Sequence, residues 1–146
     1  MARVSTYLNF MGNTEEAFTF YKTVFKTEFE GIQYMKDVPA DPSQPALPDD
    51  EKNKVMHVML PITAGHILMG TDLLESMGHE LKLGNNVSIN LEPDDLAEAK
   101  RLFTELSAGG EVEMPLKKMF WGDHFAAFTD KFGIKWMINC ADTAAA

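Results

Sequence analysis

Four histidines and one aspartate are the side chains of this sequence best suited to acid–base or ligand chemistry. His57 is the strongest candidate, because it lies in the segment VMHVML, where Val55 and Met59 follow the same two-residue period and are expected to share its face of a strand. An imidazole on such a face can act as a general base or as a hydrogen-bonding contact for a ligand. The alternative is a structural histidine bonded to a backbone carbonyl, and both interpretations stay open.

The other candidates are more typical of structural positions. His66 is expected in a turn and His79 in a solvated loop. His124, in WGDH, is expected at the surface, with the mouth of a cleft as the alternative. Asp72 closes the segment ILMGTD and is expected to cap the following turn, although it could also bind a ligand amine or orient His57. The histidine spacing matches neither HxH nor HExxH, so it predicts no local metal motif.

Aromatic and methionine residues indicate an apolar binding surface. Phe120, Trp121 and Phe125 surround Gly122 among polar neighbours, a pattern typical of an aromatic wall for a ligand or of a core plug. Methionine adapts to irregular shapes and therefore suits a permissive pocket, although core packing is its commoner use. The methionines on or beside predicted strands are Met56, Met59, Met69, Met119 and Met137.

The composition indicates a cytoplasmic globular protein. The 146 residues, 45% of them hydrophobic, are enough for a single domain over residues 1–146 with its own core. A net charge of -9 argues against nucleic acid as a partner, and no apolar run reaches the roughly 20 residues of a membrane span. The start of the chain lacks the pattern of a signal peptide, and Cys140 is the only cysteine, which favours a reduced compartment and a buried thiol.

Hydrophobic periodicity predicts the same order of elements twice. In the first half, strands are expected at residues 5–11, 28–35, 55–60 and 66–70, and a helix at residues 14–25 capped by Asn13 with Glu16 in the capping box. The proline-rich segment 36–54 is expected to be a loop without regular structure. In the second half, a strand around residues 87–91 precedes a helix that starts at Pro93-Asp94 and ends at Gly109-Gly110, followed by strands at residues 111–114, 125–129 and 134–140.

This internal repeat predicts an α+β protein with two βαβββ modules, residues 1–72 and residues 86–140. Each module needs a partner for one of its faces, either within the chain or in a second chain. We therefore expect a homodimer.

Several segments then resemble a known family. YLNF-x-GN followed by EEAFTFY, then MHVML, ILMGTD, GGEVEMPL, FWG and DKFGIKWMIN are similar to the PhnB-like branch of the glyoxalase/bleomycin-resistance/dioxygenase (vicinal oxygen chelate) superfamily. The resemblance implies two βαβββ modules with curved mixed sheets that form a cleft, commonly completed in a homodimer. In the enzymes of the superfamily it also implies a divalent metal held by His and Glu on the first and last strands of both modules.

This sequence departs from the enzymes at those four positions. The corresponding residues are Ser5 or Thr6, Met69, Asn86 or Val87, and Met137, and none is His or Glu. A catalytic metal usually has about three protein ligands. No glycine-rich turn of a nucleotide cofactor, GxSxG motif, Walker A motif or CxxC pair occurs.

The sequence thus predicts a metal-independent small-molecule-binding protein with no cofactor. The residues expected to line its cleft are Tyr7, His57, Met69, Phe120, Trp121 and Met137. The alternative is a metal-dependent lyase, isomerase or dioxygenase of the glyoxalase type with other ligands, and a third interpretation is a dimer scaffold. The ligand and any catalytic residues are not identified by the sequence.

Overall fold

A computed structural model describes residues 1–141, so that residues 142–146, the end of the predicted single domain, lie outside the described residues. The chain divides into two compact units, one spanning Met1–Lys82 and one beginning at Leu83. Each unit has a four-stranded mixed sheet and one α-helix.

The first unit has the order βαβββ. Its elements are β1 (Thr6–Phe10), α1 (Thr14–Phe25), β2 (Gly31–Tyr34), β3 (Val55–Pro61) and β4 (Ile67–Asp72). The strands lie in the order β1-β4-β3-β2, with β1 parallel to β4 and the other pairs antiparallel. Apolar residues alternate along the strands, and the sheet face that they form packs against α1. The buried residues of α1 include Phe18, Tyr21 and Val24.

The second unit repeats this topology. Its elements are β5 (Ile89–Leu91), α2 (Leu96–Ser107), β6 (Glu111–Lys118), β7 (His124–Thr129) and β8 (Lys135–Cys140). The strands lie in the order β5-β8-β7-β6, with β5 parallel to β8. Trp136, Ile138 and Cys140 alternate on the buried face of β8. The predicted α+β fold with a duplicated βαβββ pattern is therefore confirmed.

The register assigns residues on three strands of one sheet counterparts in the other sheet. Tyr7 aligns with Met69, and Met69 with Met59, across β1, β4 and β3. Asn90 aligns with Met137, and Met137 with Ala127, across β5, β8 and β7. Met69 and Met137 are therefore equivalent positions, and counting along the strands makes His57 equivalent to Phe125, Gly70 to Ile138, and Asp72 to Cys140.

The two helix starts differ from the sequence-based prediction. Asn13 makes no side-chain capping bond at the start of α1. The helix α2 begins at Leu96, not at Pro93-Asp94, because the side chain of Asp95 accepts the backbone N–H of Glu98 and fixes the first turn there.

The β2–β3 connection is closed at its base. The backbone N–H of Met35 donates to Lys54 O (2.9 Å), and that of Lys36 donates to Lys52 O (3.0 Å). The segment predicted to lack regular structure contains a 3-10 turn at Asp49–Glu51, and a second one spans its start at Met35–Asp37. Its middle, residues 38–48, is mostly exposed and has no helix or strand.

Candidate functional site

The first unit has a sheet face that α1 does not cover, and we call it the open face of sheet 1. Tyr7 projects from it with 49% of its surface exposed, and His57, Met59 and Met69 are half-buried on it. Because alternate residues of a strand point to the same face, the register assigns ten strand residues to this surface. They are Tyr7, Asn9, Gly31, Gln33, His57, Met59, Pro61, Ile67, Met69 and Thr71.

The structure brings Tyr7, His57 and Met69 together, as three of the six predicted cleft residues. The rings of Tyr7 and His57 approach across β4 to a centroid separation of 5.8 Å at an angle of 43°. Met69 lies between their strands, and the hydroxyl of Ser5 donates to its sulfur at 3.8 Å. The open face of sheet 1 therefore offers two neighbouring rings and an oriented thioether.

One detail of the predicted His57 environment is wrong. Val55 was expected on the face of His57, but it is 1% exposed and lies on the opposite, helix-covered face. The pairing of β2 with β3 shifts between Gln33 and Tyr34, which places an extra residue, Met56, in β3. Such a bulge reverses the alternation on one side of it, so that Met59, but not Val55, shares the face of His57.

Asp72 has a structural role, as the sequence favoured, but it does not cap the turn that was predicted. Its carboxylate is 4% exposed and accepts four hydrogen bonds instead of capping the turn after its own strand. One oxygen accepts from Gly12 N (2.9 Å), Thr14 N (3.1 Å) and Thr14 Oγ1 (2.6 Å), and the other accepts from Val55 N (2.8 Å). These bonds join β4 to the start of α1 and to β3, and they leave the carboxylate no role towards His57 or a ligand.

The second unit also has an uncovered face, the open face of sheet 2, and it carries Met137. Met137 is half-buried beside Ala127 and Asn90. Unlike the open face of sheet 1, this face carries charged side chains. They form an ion pair in which Lys135 Nζ lies 2.8 Å from Glu113 Oε1. The hydrogen bond from Lys135 lowers the pKa of Glu113, and Thr129 also donates to the same oxygen at 2.8 Å.

Phe120 and Trp121 form the tip of the β6–β7 hairpin. Gly122 has a φ of +101° there, and its N–H donates to Met119 O at 3.0 Å, which closes the turn. The two rings meet edge to face at 4.9 Å, and Trp121 contacts the ring of Phe125 at 6.1 Å. Phe120 is 96% exposed and Trp121 49% exposed.

The remaining histidines have specific structural surroundings. His66 Nε2 lies 2.8 Å from the hydroxyl of Thr6, directly after the turn in which the sequence predicted it. His79 is exposed, as predicted, but its Nδ1 also accepts the backbone N–H of Leu74 at 2.9 Å. His124 is half-buried at the start of β7, and its Nδ1 is enclosed without a hydrogen-bond partner among residues 1–141.

The described residues do not fit a superfamily metal. Within residues 1–141, no group of three or more His, Cys, Asp or Glu side chains is arranged to hold a metal ion. The predicted counterparts Asn86 and Val87 precede β5, and the register makes Ser88 the counterpart of Ser5. Neither assignment supplies a His or Glu ligand.

Sequence reasoning missed several polar contacts that organise the two units. The buried carboxylate of Glu51 accepts the N–H (3.1 Å) and the hydroxyl of Ser76. In the second unit, Asp130 accepts the indole N–H of Trp136 at 2.8 Å. The DKFGIKW segment signals the latter pair, since an Asp at the start of a turn often bonds to groups a few residues later. No comparable signal links Glu51 to Ser76. Cys140 is buried, as predicted, and its thiol faces Pro93 O at 3.7 Å.

Over residues 1–141, no helix has the length and apolar character needed to cross a membrane.

Comparison with known proteins identifies the family. The family profile of 3-demethylubiquinone-9 3-methyltransferase matches residues 2–139. Protein PA1353 from Pseudomonas aeruginosa is 36% identical, with a TM-score of 0.82, over 97% of this chain and 98% of that one. A PhnB protein from Bacillus cereus is 24% identical, with a TM-score of 0.75, over 96% of this chain and all of that one.

A more distant structure shares the fold. A glyoxalase/bleomycin-resistance/dioxygenase domain from Frankia sp. EAN1pec is 11% identical, with a TM-score of 0.65, over 98% of this chain and 94% of that one. At that identity the likeness concerns the fold alone. Because the profile spans nearly the whole described sequence, the chain belongs to the 3-demethylubiquinone-9 3-methyltransferase family, and it shares its fold with the glyoxalase/bleomycin-resistance/dioxygenase domain.

Proposed function

We propose that this protein binds a small molecule without the help of a metal ion. The observation that carries the proposal is the open face of sheet 1, where Tyr7, His57 and Met69 lie together and in part exposed. Ligand sites are mostly apolar and aromatic, with a few polar groups that fix orientation. This face has that composition.

The residues at the superfamily ligand positions support the metal-independent form of the proposal. Met69 and Met137 carry thioethers, and Ser5 and Ser88 carry neutral hydroxyls. Divalent metals of the superfamily enzymes need imidazole or carboxylate ligands. A thioether is instead an apolar contact for a ligand.

The test is a thermal-shift and calorimetric screen of metabolites and antibiotics against protein treated with a chelator. For each compound that binds, we expect His57→Ala to weaken binding by roughly 1–3 kcal/mol, because it leaves a ligand group without its hydrogen-bond partner. Thr19→Ala, on the exposed side of α1, is the matched control and should leave affinity unchanged. Equal affinity of wild type and His57→Ala for every compound would contradict this site.

Trp121 provides a second readout for the unit that carries Met137. It is half exposed, whereas Trp136 is fully buried and bonded to Asp130, so a ligand that reaches the hairpin should change the fluorescence of Trp121 far more than that of Trp136. Trp121→Phe should remove most of the ligand-induced signal without loss of the fold. A signal that survives in Trp121→Phe would place the ligand elsewhere.

The alternative is an enzyme of glyoxalase-type lyase, isomerase or dioxygenase chemistry with a metal on other ligands. The family description also names methyl transfer to a demethylated ubiquinone. Elemental analysis distinguishes the first alternative, because about one Zn, Ni, Mn or Fe per chain after dialysis would contradict metal-independent binding. Formation of a methylated quinol from S-adenosylmethionine would support the methyltransferase activity.

We also propose that the protein is a homodimer. The support is a set of large apolar side chains that the chain leaves in solvent, among them Phe120 (96% exposed), Val87 (74%) and Leu83 (65%). A second copy of the chain that covers these side chains would remove their apolar surface from water. Light scattering should give about twice the 16.3 kDa of one chain, and a constant monomer mass at all concentrations would contradict the dimer.

A further inference from the structure

The β2–β3 connection combines regularly spaced prolines with charge of one sign, and we call residues 37–51 the proline segment. From residue 37 to residue 51 the sequence has five Asp or Glu residues and no Lys or Arg. A polyproline II helix has three residues per turn, so prolines spaced three apart lie on one side of an extended segment. The prolines with this spacing, all exposed, are Pro39, Pro42, Pro45 and Pro48.

The proline segment has a defined shape before it meets any partner. The carboxylate of Asp41 accepts the N–H (2.9 Å) and the hydroxyl (2.7 Å) of Ser43, and Gln44 N donates to Asp41 O at 3.0 Å, which closes a turn. After the turn, Pro48 has a φ of -57° and a ψ of 146°, which is the polyproline II conformation. Binding through this segment therefore costs little conformational entropy.

The tip of the β6–β7 hairpin has the opposite charge. Residues 114–122 contain Lys117 and Lys118, both exposed, and no Asp or Glu. The ring of Phe120, directly after them, is almost completely exposed. We call residues 117–121 the basic aromatic tip.

The rings at this tip suit proline. Proline-rich segments bind to surfaces lined with aromatic rings. Successive prolines of a polyproline II segment with this spacing lie about 9 Å apart. The ring cluster of Phe120, Trp121 and Phe125 extends over a comparable distance, because its successive centroids are 4.9 Å and 6.1 Å apart.

Charge favours a second copy of this chain as the partner. Two copies with a net charge of -9 repel each other on average, so a stable contact between them must pair basic surface with acidic surface. Asp49 already pairs with Lys52 at 2.9 Å, whereas Asp41 and Asp50 are exposed carboxylates whose charge can attract the lysines of the tip.

We propose that the basic aromatic tip of one copy docks on the proline segment of a second copy. Each chain carries both surfaces, so a two-fold dimer makes this contact twice. The inference rests on the proposed homodimer and specifies the surfaces that form it.

The test reverses the charge of each surface and then mixes the two variants. Lys117→Glu/Lys118→Glu makes the tip acidic, and Gln44→Lys/Ala46→Lys/Asp50→Lys makes the stretch around the last two prolines basic. Each variant alone should raise the dimer dissociation constant at least about tenfold in sedimentation velocity, because both of its contacts then join like charges. An equimolar mixture should form heterodimers about as tightly as the wild type, since each acidic tip then meets a basic segment and each basic tip an acidic one.

Two further variants separate the causes. Phe120→Ser removes the exposed ring at unchanged charge and should also raise the dissociation constant at least about tenfold. Lys82→Glu/Lys100→Glu is the matched control, because it makes the same change in net charge at exposed positions outside both surfaces and should leave the dimer unchanged. Circular dichroism verifies that each variant is folded.

The outcomes distinguish this inference from the homodimer itself. A wild type that is monomeric at every concentration would overturn both. A dimeric wild type would overturn the inference alone if the tip variants dimerise equally well, if the control weakens the dimer as much as they do, or if the mixture of the two charge-reversed variants stays monomeric.

Discussion

The two units hold the start of their helices in different ways. In the first unit, Asp72 reaches from the end of β4 to the N–H groups of Gly12 and Thr14 and joins three elements. In the second unit, Asp95 caps α2 locally by accepting the N–H of Glu98, and the position equivalent to Asp72 is Cys140. The same topology therefore allows two ways to pair the N–H groups of a helix's first turn, a long-range carboxylate in the first unit and a local cap in the second.

The cores differ in a related way. A side chain at Gly70 would come within 2.5 Å of the ring of Phe18, so α1 lies against a strand position that has no side chain. The equivalent position in the second unit is Ile138, which is fully buried. In the first unit the large side chain at this contact, Phe18, belongs to the helix. In the second unit a large side chain, Ile138, belongs to the strand.

The largest expected effect is the loss of the long-range cap. Asp72→Ala should lower the free energy of unfolding by about 3–5 kcal/mol, because it leaves three buried donors and the partly buried N–H of Gly12 without their acceptor. Chemical denaturation followed by circular dichroism measures this. A loss of about 1 kcal/mol, equal to that of a local cap, would remove the distinction between the two helix starts.

Gly70→Ala should lower the free energy of unfolding by about 1–3 kcal/mol, because Phe18 must move to admit the methyl group. Gly31→Ala is the matched control on the edge strand β2, where nothing lies within 4 Å of the added carbon. Denaturation of both variants gives the comparison. Equal stability of the two would show that Phe18 moves without cost and that the helix does not require a glycine beneath it.

The local cap should have a smaller effect. Asp95→Ala should cost about 1 kcal/mol, since it removes one exposed capping bond. Asn13→Ala, at the corresponding start of α1, should cost less than about 0.5 kcal/mol because Asn13 makes no capping bond. Hydrogen exchange of the first-turn amides measures both. A cost for Asn13→Ala as large as that for Asp95→Ala would contradict the assignment of the α1 cap to Asp72.

The smallest expected effect concerns the charged face of the second unit. The pair of Lys135 with Glu113 lowers the pKa of Glu113. The stabilisation of the fold by this pair is therefore present above the ordinary carboxyl pKa and is lost as the pH falls through the lowered pKa. The pair is about one-third exposed, and Lys135→Met should therefore cost only about 0.3–0.5 kcal/mol at neutral pH. The difference from wild type should vanish in acid, and a difference independent of pH would mean that packing causes it.

The sequence predicted elements better than their long-range contacts. The period of apolar residues predicted α1 over residues 14–25 and both βαβββ repeats, because burial of alternate residues is a local property. It predicted Asn13 as the cap of α1, because sequence proximity gives no sign of a carboxylate 58 residues away, the separation of Asp72 from Thr14. Likewise, alternation placed Val55 beside His57, since a bulge at Met56 has no signature in the residue types.

The sequence predicted only part of the candidate site, because it gives little sign of contacts between distant segments. Tyr7, His57 and Met69 lie on three strands, and the resemblance to a known family aligned those strands where periodicity alone could not. The lack of charge on the open face of sheet 1 became visible only when the register assigned residues of β2 and β3 to it. Surface properties of this kind depend on pairing between distant segments.

The closed base of the β2–β3 connection makes it a natural point for insertion. The bonds of Met35 to Lys54 and of Lys36 to Lys52 fix the two ends, so the strands do not depend on the length of chain between them. The cost of closing a longer loop rises by only about 0.6 kcal/mol for each doubling of its length. A peptide tag or a dye-bearing cysteine at residues 38–48 should therefore leave the sheet unchanged. The equivalent connection in the second unit, from Met119 to Asp123, is itself a tight turn closed by the bond of Gly122 N–H to Met119 O, so an insertion there should disrupt the turn.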